Sequence, residues 1–154
     1  MHYWLMKTEP NTFGLAHLAA APRRTTAWDG VRNYQARNMI RDQMKKGDQA
    51  FLYHSSTEVP GIVAIMQIVK EAYPDPTAFD KKHHHYDPES DPKNPRWFMV
   101  DVQLKRPLAR TISLEELRSH EGRQLKGMVL LRRGNRLSIT PVEAAHWKFI
   151  LSLE

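Results

Sequence analysis

The densest chemistry in the chain lies in eleven consecutive residues, Trp28-Asp29-Gly30-Val31-Arg32-Asn33-Tyr34-Gln35-Ala36-Arg37-Asn38. Aromatic rings, amides and two arginines stand just ahead of, and run into, the start of a helix. Backbone N–H groups at a helix start favour phosphate. Asn and Gln side chains match the hydrogen-bonding edge of a base, and Trp or Tyr can stack on its face. Each residue also has a plain structural use, with Trp28 as core and Asn33 as a helix cap. The same residue types recur in Tyr53-His54-Ser55-Ser56 at a strand end and in Arg96-Trp97 at a strand start, where core packing is an equal explanation.

Other chemistries find less support. His83-His84-His85 is the one metal-like run. Consecutive side chains point in different directions, so only His83 and His85 share the spacing of a strand site, and further ligands would have to come from elsewhere. A solvated loop is the better reading, with no metal and no cofactor expected. His54 and Ser55 are strand neighbours on opposite sides, so they do not form a nucleophile–base pair. The chain contains no G-x-S-x-G, phosphate-binding loop, H-E-x-x-H or dinucleotide glycine fingerprint. It has no cysteine, which excludes disulfides, thiolate metal sites and Cys nucleophiles.

Local patterning predicts the elements that position these groups. Tyr3 to Met6 reads as a buried first strand closed by Pro10. A short helix through Leu15, Leu18 and Ala19 has Asn11 or Thr12 as its cap, and Ala21 to Gly30 reads as loop. Ala36, Met39, Ile40 and Met44 form one apolar helical stripe, with Arg37, Arg41 and Lys45 on a second, and Gly47-Asp48 ends that helix. Strands follow at Gln49 to His54 and Gly61 to Val69. Tyr73 to Pro95 holds five of the ten prolines and reads as a long loop, and Arg96 to Leu104 alternates as a strand. Capping boxes at Ser113/Glu116 and Thr140/Glu143, the latter with Pro141 at the first helical position, open the last two helices, with a short strand at Arg136 to Thr140 between them. Strands and helices do not alternate, so the expected class is α+β, a curved sheet or small barrel with helices outside, in a single domain spanning residues 1–154.

The 154 residues carry 23 Lys and Arg against 17 Asp and Glu, a net +6. Hydrophobic residues make up 41%, enough for a core and too many for a disordered chain. The longest apolar run, Gly61 to Met66, is too short to span a bilayer, and the N-terminus lacks signal-peptide character, so a soluble cytoplasmic protein is expected, with no membrane partner. The charge is segregated. Arg23 to Lys46 and Arg118 to Arg136 each carry net +5, whereas Glu71 to Asp91 carries −4. Two basic zones suggest a polyanionic partner, and the expectation is that they meet around one pocket mouth.

Tyr3-Trp4-Leu5-Met6-Lys7-Thr8-Glu9-Pro10 resembles the opening "YWLMKSEP" of the EVE domain family, with Thr8 in place of the more usual Ser. The run from Trp28 to Asn38 resembles that family's central motif. Phe51-Leu52-Tyr53-His54-Ser55, Gly61-Ile62-Val63, Pro95-Arg96-Trp97 and Arg136-Leu137-Ser138-Ile139-Thr140-Pro141 match in order, so the resemblance spans nearly the whole chain. It implies a PUA-like fold, a small twisted β-barrel with short helices around it. It further implies a non-catalytic module that reads a modified base in nucleic acid, with 5-methylcytosine or 5-hydroxymethylcytosine in DNA, or a modified RNA base, as candidates. Carried onto this sequence, Trp28 with Trp97 or Tyr53 would wall the pocket. Asn33, His54 and Ser55 would bond the base edge, and Arg32, Arg37, Arg41 and Arg96 would hold phosphates. The alternative is an enzyme of nucleic-acid or nucleotide modification that uses His54 or the His83 to His85 loop.

Overall fold

The computed structural model describes all residues from Met1 to Glu154. Six strands form one mixed sheet: β1 (Tyr3–Thr8), β2 (Thr25–Ala27), β3 (Gln49–His54), β4 (Gly61–Pro74), β5 (Phe98–Ser113) and β6 (Ile139–Val142). Their order across the sheet is β2-β5-β4-β3-β1-β6. Only β1 and β3 run parallel, with Thr8 opposite His54; every other neighbouring pair is antiparallel. The outer strands β2 and β6 do not pair with each other, so the sheet is open and the closed barrel expected from the sequence is not formed. The α+β class holds. Register shifts in the β4–β5 pairing introduce bulges, which bend and twist long strands.

Strand alternation divides the core in two. Trp4 and Met6 of β1, and Ala50 and Leu52 of β3, face one side, where they join Trp28, Ala36, Met39, Ile40 and Val100. Leu5, Phe51 and Tyr53 face the other, with Leu117, Trp147 and Ile150. The sheet is therefore apolar on both faces, and helices must cover each one. On the first side these are α1 (Leu15–Ala20) and α2 (Tyr34–Asn38), which continues as a π-helical turn over Met39–Gln43. On the second they are α3 (Leu114–Ser119) and α4 (Ala144–Ser152).

The apolar stripe at Ala36, Met39, Ile40 and Met44 is buried as its spacing predicts. The Ser113 hydroxyl caps α3 by accepting from the Glu116 N–H at 3.1 Å. Three local expectations differ from the structure. The loop expected before Gly30 contains β2, which is short and at the sheet edge, where three residues give little periodicity to read. Helix α1 takes neither Asn11 nor Thr12 as its cap; Gly14 occupies that position, and His17 Nδ1 accepts its N–H at 2.9 Å. Thr140 and Pro141 lie in β6, so the last helix opens at Ala144 behind Glu143. Pairing of Trp4 with Pro141 and Leu5 with Thr140 outweighs the local capping signal. No helix is long and apolar enough to cross a membrane.

Candidate functional site

Because β1 and β3 are parallel, their C-terminal ends emerge side by side, and the start of β6 lies at the same end. The Ser55 N–H bonds the Thr8 carbonyl at 2.9 Å, and the Lys7 N–H bonds the Ser138 carbonyl at 2.8 Å. These ends, the segment from Thr26 to Gly30 and two histidines surround a cleft of about 770 Å³. Most of its lining residues are polar or charged. Trp28 and Phe13 supply aromatic wall, Thr8, Thr12, Thr26, Ser55 and Ser138 supply hydroxyls, Glu9 and Asp29 supply carboxylates, and Lys7 and Arg136 supply cations.

The Trp28 turn is held from several directions. The Trp28 N–H bonds the Val100 carbonyl at 2.8 Å, and the Asp29 N–H bonds Ala27 at 3.1 Å. The Gly30 N–H bonds Asp75 Oδ2 at 2.8 Å. Gly30 has φ +78°, and a Cβ there would lie 2.2 Å from the His85 ring, so glycine is required both for its conformation and for the close approach. Trp28 is 8% exposed, anchored in the core with one side on the cleft.

Arg32 organises the neighbouring loop. Its guanidinium donates to the His85 carbonyl at 2.8 and 3.0 Å, to Asp75 at 3.1 Å, to Thr77 Oγ1 at 3.1 Å and to the Val31 carbonyl at 3.0 Å. Asp75 is fully buried. Burial pushes its pKa up, but hydrogen bonds from Thr77, the Gly30 N–H and Arg32 outweigh it, and the carboxyl sits below its ordinary 3.8.

The structure separates the residues singled out in the sequence. Trp28 and Ser55 lie on the cleft. Tyr53 does not, because it alternates with His54 and is buried on the opposite face of the sheet. Asn33 is exposed and caps α2, its Oδ1 accepting from the Ala36 N–H at 3.0 Å. Trp97 is buried away from the cleft, stacked on Tyr34 with ring centroids 4.9 Å apart, and donates to Asp87 at 2.6 Å.

Three of the four arginines expected on phosphate have partners within the acidic segment or its flanks. Arg32 is bound as described. Arg37 reaches the Arg96 carbonyl at 2.7 Å and lies over the Tyr34 ring, and Arg96 pairs with Glu89 and Asp87 at 3.3 and 3.6 Å. Arg41 bonds its neighbour Asp42. Three of the seven basic residues of the first zone, Arg32, Arg37 and Arg41, are thus engaged within the protein, none of the seven lines the cleft, and the two zones do not meet there as expected. From the second zone Arg136 reaches it, and Lys7 of β1 joins from outside both. Neither cation has a side-chain partner, and burial lowers the Lys7 pKa from 10.5.

His54 is a structural acceptor. Its Nε2 takes the Leu15 N–H at 3.1 Å, capping α1, and burial lowers its pKa from the ordinary 6.5. Protonation would turn that acceptor into a donor. With the folded value lowered, the unfolded chain binds more protons, so stability should fall as pH drops below about 6.5 and level off above it. Denaturant titrations at pH 5.5 and 7.5 check this, and His54→Gln should flatten the dependence. A variant as pH-sensitive as the wild type would contradict it.

The histidine run also differs from expectation. The ligand atoms of His83, His84 and His85 lie within 4.8 Å of one another. The rings, however, pack against one another, with centroids 3.9 to 4.9 Å apart. An imidazole binds a metal in its own plane. The lone pairs of the near-parallel His83 and His84 rings therefore run side by side rather than toward one point. His83 Nδ1 is further occupied, accepting the His85 N–H at 3.0 Å. His84 and His85 border the cleft instead.

Sequence reading missed Lys7, Phe13, Asp29 and Arg136 as neighbours in one site. Lys7 and Arg136 meet through pairing of β1 with β6, and Asp29 arrives through pairing of β2 with β5, contacts between distant parts of the chain that have no local signature, while the Phe13 carbonyl accepts from the Thr8 hydroxyl.

Fold and cleft together define an α+β domain with an open mixed sheet, helices on both faces, and a polar, tryptophan-walled cleft beside the ends of two parallel strands. The EVE domain profile matches residues 2–153, and the chain belongs to the EVE domain family. It is 50% identical to thymocyte nuclear protein 1 of Homo sapiens over 99% of this chain and 73% of that protein. It is 44% identical to an uncharacterized Schizosaccharomyces pombe protein over 98% of this chain and 67% of that one. Among solved structures, human THYN1 protein in complex with 5-methylcytosine-containing DNA superposes with TM-score 0.95 at 49% identity, covering 99% of this chain and 97% of that one. A Pseudomonas syringae protein superposes with TM-score 0.91 at 42% identity, covering 98% of each chain. None of these relatives carries a catalytic name. The expected cytoplasmic location is corrected: the vertebrate relatives are named nuclear proteins, which conflicts with it.

Proposed function

We propose that this chain is a non-catalytic DNA-binding module that takes a modified cytosine, 5-methylcytosine in the first instance, into the cleft beside Trp28. What carries the reading is the cleft itself, which sets an anchored aromatic wall and polar groups beside two unpaired cations. Its volume of about 770 Å³ lies in the range of small-ligand sites. The human THYN1 complex supports the choice of DNA and of that base, since a chain of nearly the same fold is held there with 5-methylcytosine-containing DNA.

Extruding a base from a duplex costs a few kcal/mol. Stacking on Trp28, at roughly 1–3 kcal/mol, offsets part of that cost, and phosphate contacts offset the rest. Lys7 and Arg136 are the phosphate ligands in this reading. Exposed Arg132 and Arg133 lie close to Arg136 in sequence, and neither forms an ion pair within the protein. Arg37, Arg41 and Arg96 would first have to leave their present partners.

Fluorescence anisotropy with duplexes that differ only in one 5-methylcytosine, repeated over a range of salt, tests the reading. Affinity should fall steeply with salt. The Lys7→Ala/Arg136→Ala double variant should reduce the slope of log K against log salt by about 2, from roughly 0.9 per lost phosphate contact. Absence of saturable binding at low salt, or an unchanged slope in the double variant, would count against it.

A further inference from the structure

We propose that Asp29 makes the cleft select cytosine over thymine, its carboxylate accepting a hydrogen bond from the exocyclic N4 amine of the bound base; this rests on reading the cleft as a modified-cytosine site. Thymine and 5-methylcytosine share the pyrimidine ring and its methyl group, so Trp28 and Phe13 offer both the same wall. The two bases differ along the polar edge, where cytosine presents an amine at position 4 and thymine a carbonyl. Discrimination therefore needs an acceptor facing that position. Asp and Glu accept from cytosine N4, whereas an acceptor set against a thymine carbonyl leaves both oxygens unsatisfied.

The cleft offers two carboxylates, Glu9 and Asp29. Neither forms a side-chain hydrogen bond or ion pair, although Lys7 and Arg136 border the same space. An unpaired negative charge in a site for a polyanion repels the phosphates, unless the incoming ligand brings a donor to it.

Placement favours Asp29 over Glu9. Asp29 borders the same cleft as Trp28 and belongs to the turn that carries it. Its backbone is fixed on both sides by the bonds to Val100, Ala27 and Asp75, with His85 packed on Gly30. A short side chain on a fixed backbone loses less freedom on binding than the longer Glu9 side chain.

The test is competition binding with duplexes that carry cytosine, 5-methylcytosine or thymine opposite an abasic site, which removes differences in pairing. The wild type should prefer 5-methylcytosine over thymine by about 10-fold or more. Asp29→Asn, whose amide can donate to the thymine carbonyl, should bring that ratio to within about 2-fold or invert it. Glu9→Gln should keep the wild-type ratio. The Asp29 side chain is exposed and makes no internal bond, so the variant is expected to fold, and Asp29→Ala serves as a second readout. An unchanged ratio in Asp29→Asn, or a loss of selectivity only in Glu9→Gln, overturns the role of Asp29. In either case the cleft reading survives so long as the wild type still prefers 5-methylcytosine to cytosine. If the wild type distinguishes none of the three bases, the cleft reading fails and the Asp29 proposal with it.

Discussion

Trp28→Leu is expected to weaken binding to DNA containing 5-methylcytosine by about 5- to 150-fold, corresponding to the roughly 1–3 kcal/mol of stacking on an aromatic face. Trp28 belongs to the same core cluster as Val31 and Val100 and also borders the cleft. Truncation to alanine would also open the core, at about 3–5 kcal/mol of stability. Leucine keeps much of the apolar volume while removing the flat ring, which separates loss of stacking from loss of folding. Anisotropy titrations at fixed salt, paired with thermal melts, measure both. The preference for the methylated base should fall together with the affinity, while the salt slope, set by Lys7 and Arg136, stays as in the wild type. A folded Trp28→Leu protein with unchanged affinity and preference would mean that the base does not stack there.

Asp75→Ala should destabilise the fold strongly. The fully buried carboxylate accepts from the Gly30 N–H at 2.8 Å, the Arg32 guanidinium at 3.1 Å, and the Thr77 N–H and hydroxyl at 2.9 and 2.6 Å. Its removal takes the one carboxylate partner from the partly buried Arg32 guanidinium, which keeps its bonds to the His85 and Val31 carbonyls, and leaves the Gly30 and Thr77 N–H groups without this acceptor. Breaking a buried ion pair costs about 3–5 kcal/mol. Arg32 keeps some contact with water, at 22% side-chain exposure, so the lower end applies. At roughly 2–4 °C per kcal/mol for a chain of this size, melting should fall by about 6–12 °C.

The pH dependence follows from the lowered pKa of Asp75. The stabilisation is present in full above the ordinary 3.8 and is lost as pH falls through the lower folded value. The gap between wild type and variant should therefore narrow in acid, and a gap independent of pH down to 2 would contradict the assignment. Because Asp75 also holds Gly30, the variant should bind DNA less tightly even at temperatures where it is folded.

The residues that were legible in the sequence are those whose surroundings are local. The run from Trp28 to Asn38 declared both a helix start and an aromatic at its entrance, and both are present. Alternation along β3 was also readable: Phe51 and Tyr53 share one face and Leu52 and His54 the other, which by itself separates Tyr53 from a site on the His54 side. Arg32 was not legible as a structural residue. Nothing near it shows that Asp75 and the His85 carbonyl, 43 and 53 positions away, will use up its donors. The acidic segment from Glu71 to Asp91 read as a loop of opposite charge, but its ion pairs with Arg32 and Arg96 emerge only when β4 and β5 bring its ends together. Lys7 was hidden for the opposite reason, as a single cation in a strand whose cleft partners arrive from β3, β6 and the Trp28 turn. The open sheet was equally out of reach, since strand patterning gives faces but not whether the first and last strands meet.

The most direct measurement of whether a modified cytosine enters this cleft is an NMR experiment on the complex, using DNA in which the methyl group of one 5-methylcytosine is labelled with ¹³C. With the base against Trp28, that methyl signal should shift upfield in the ring current of the indole and show nuclear Overhauser contacts to Trp28 or Phe13, and the shift should vanish in Trp28→Leu. A methyl resonance that stays at its free-DNA position while the protein is saturated, or contacts only residues outside the cleft, would contradict the assignment.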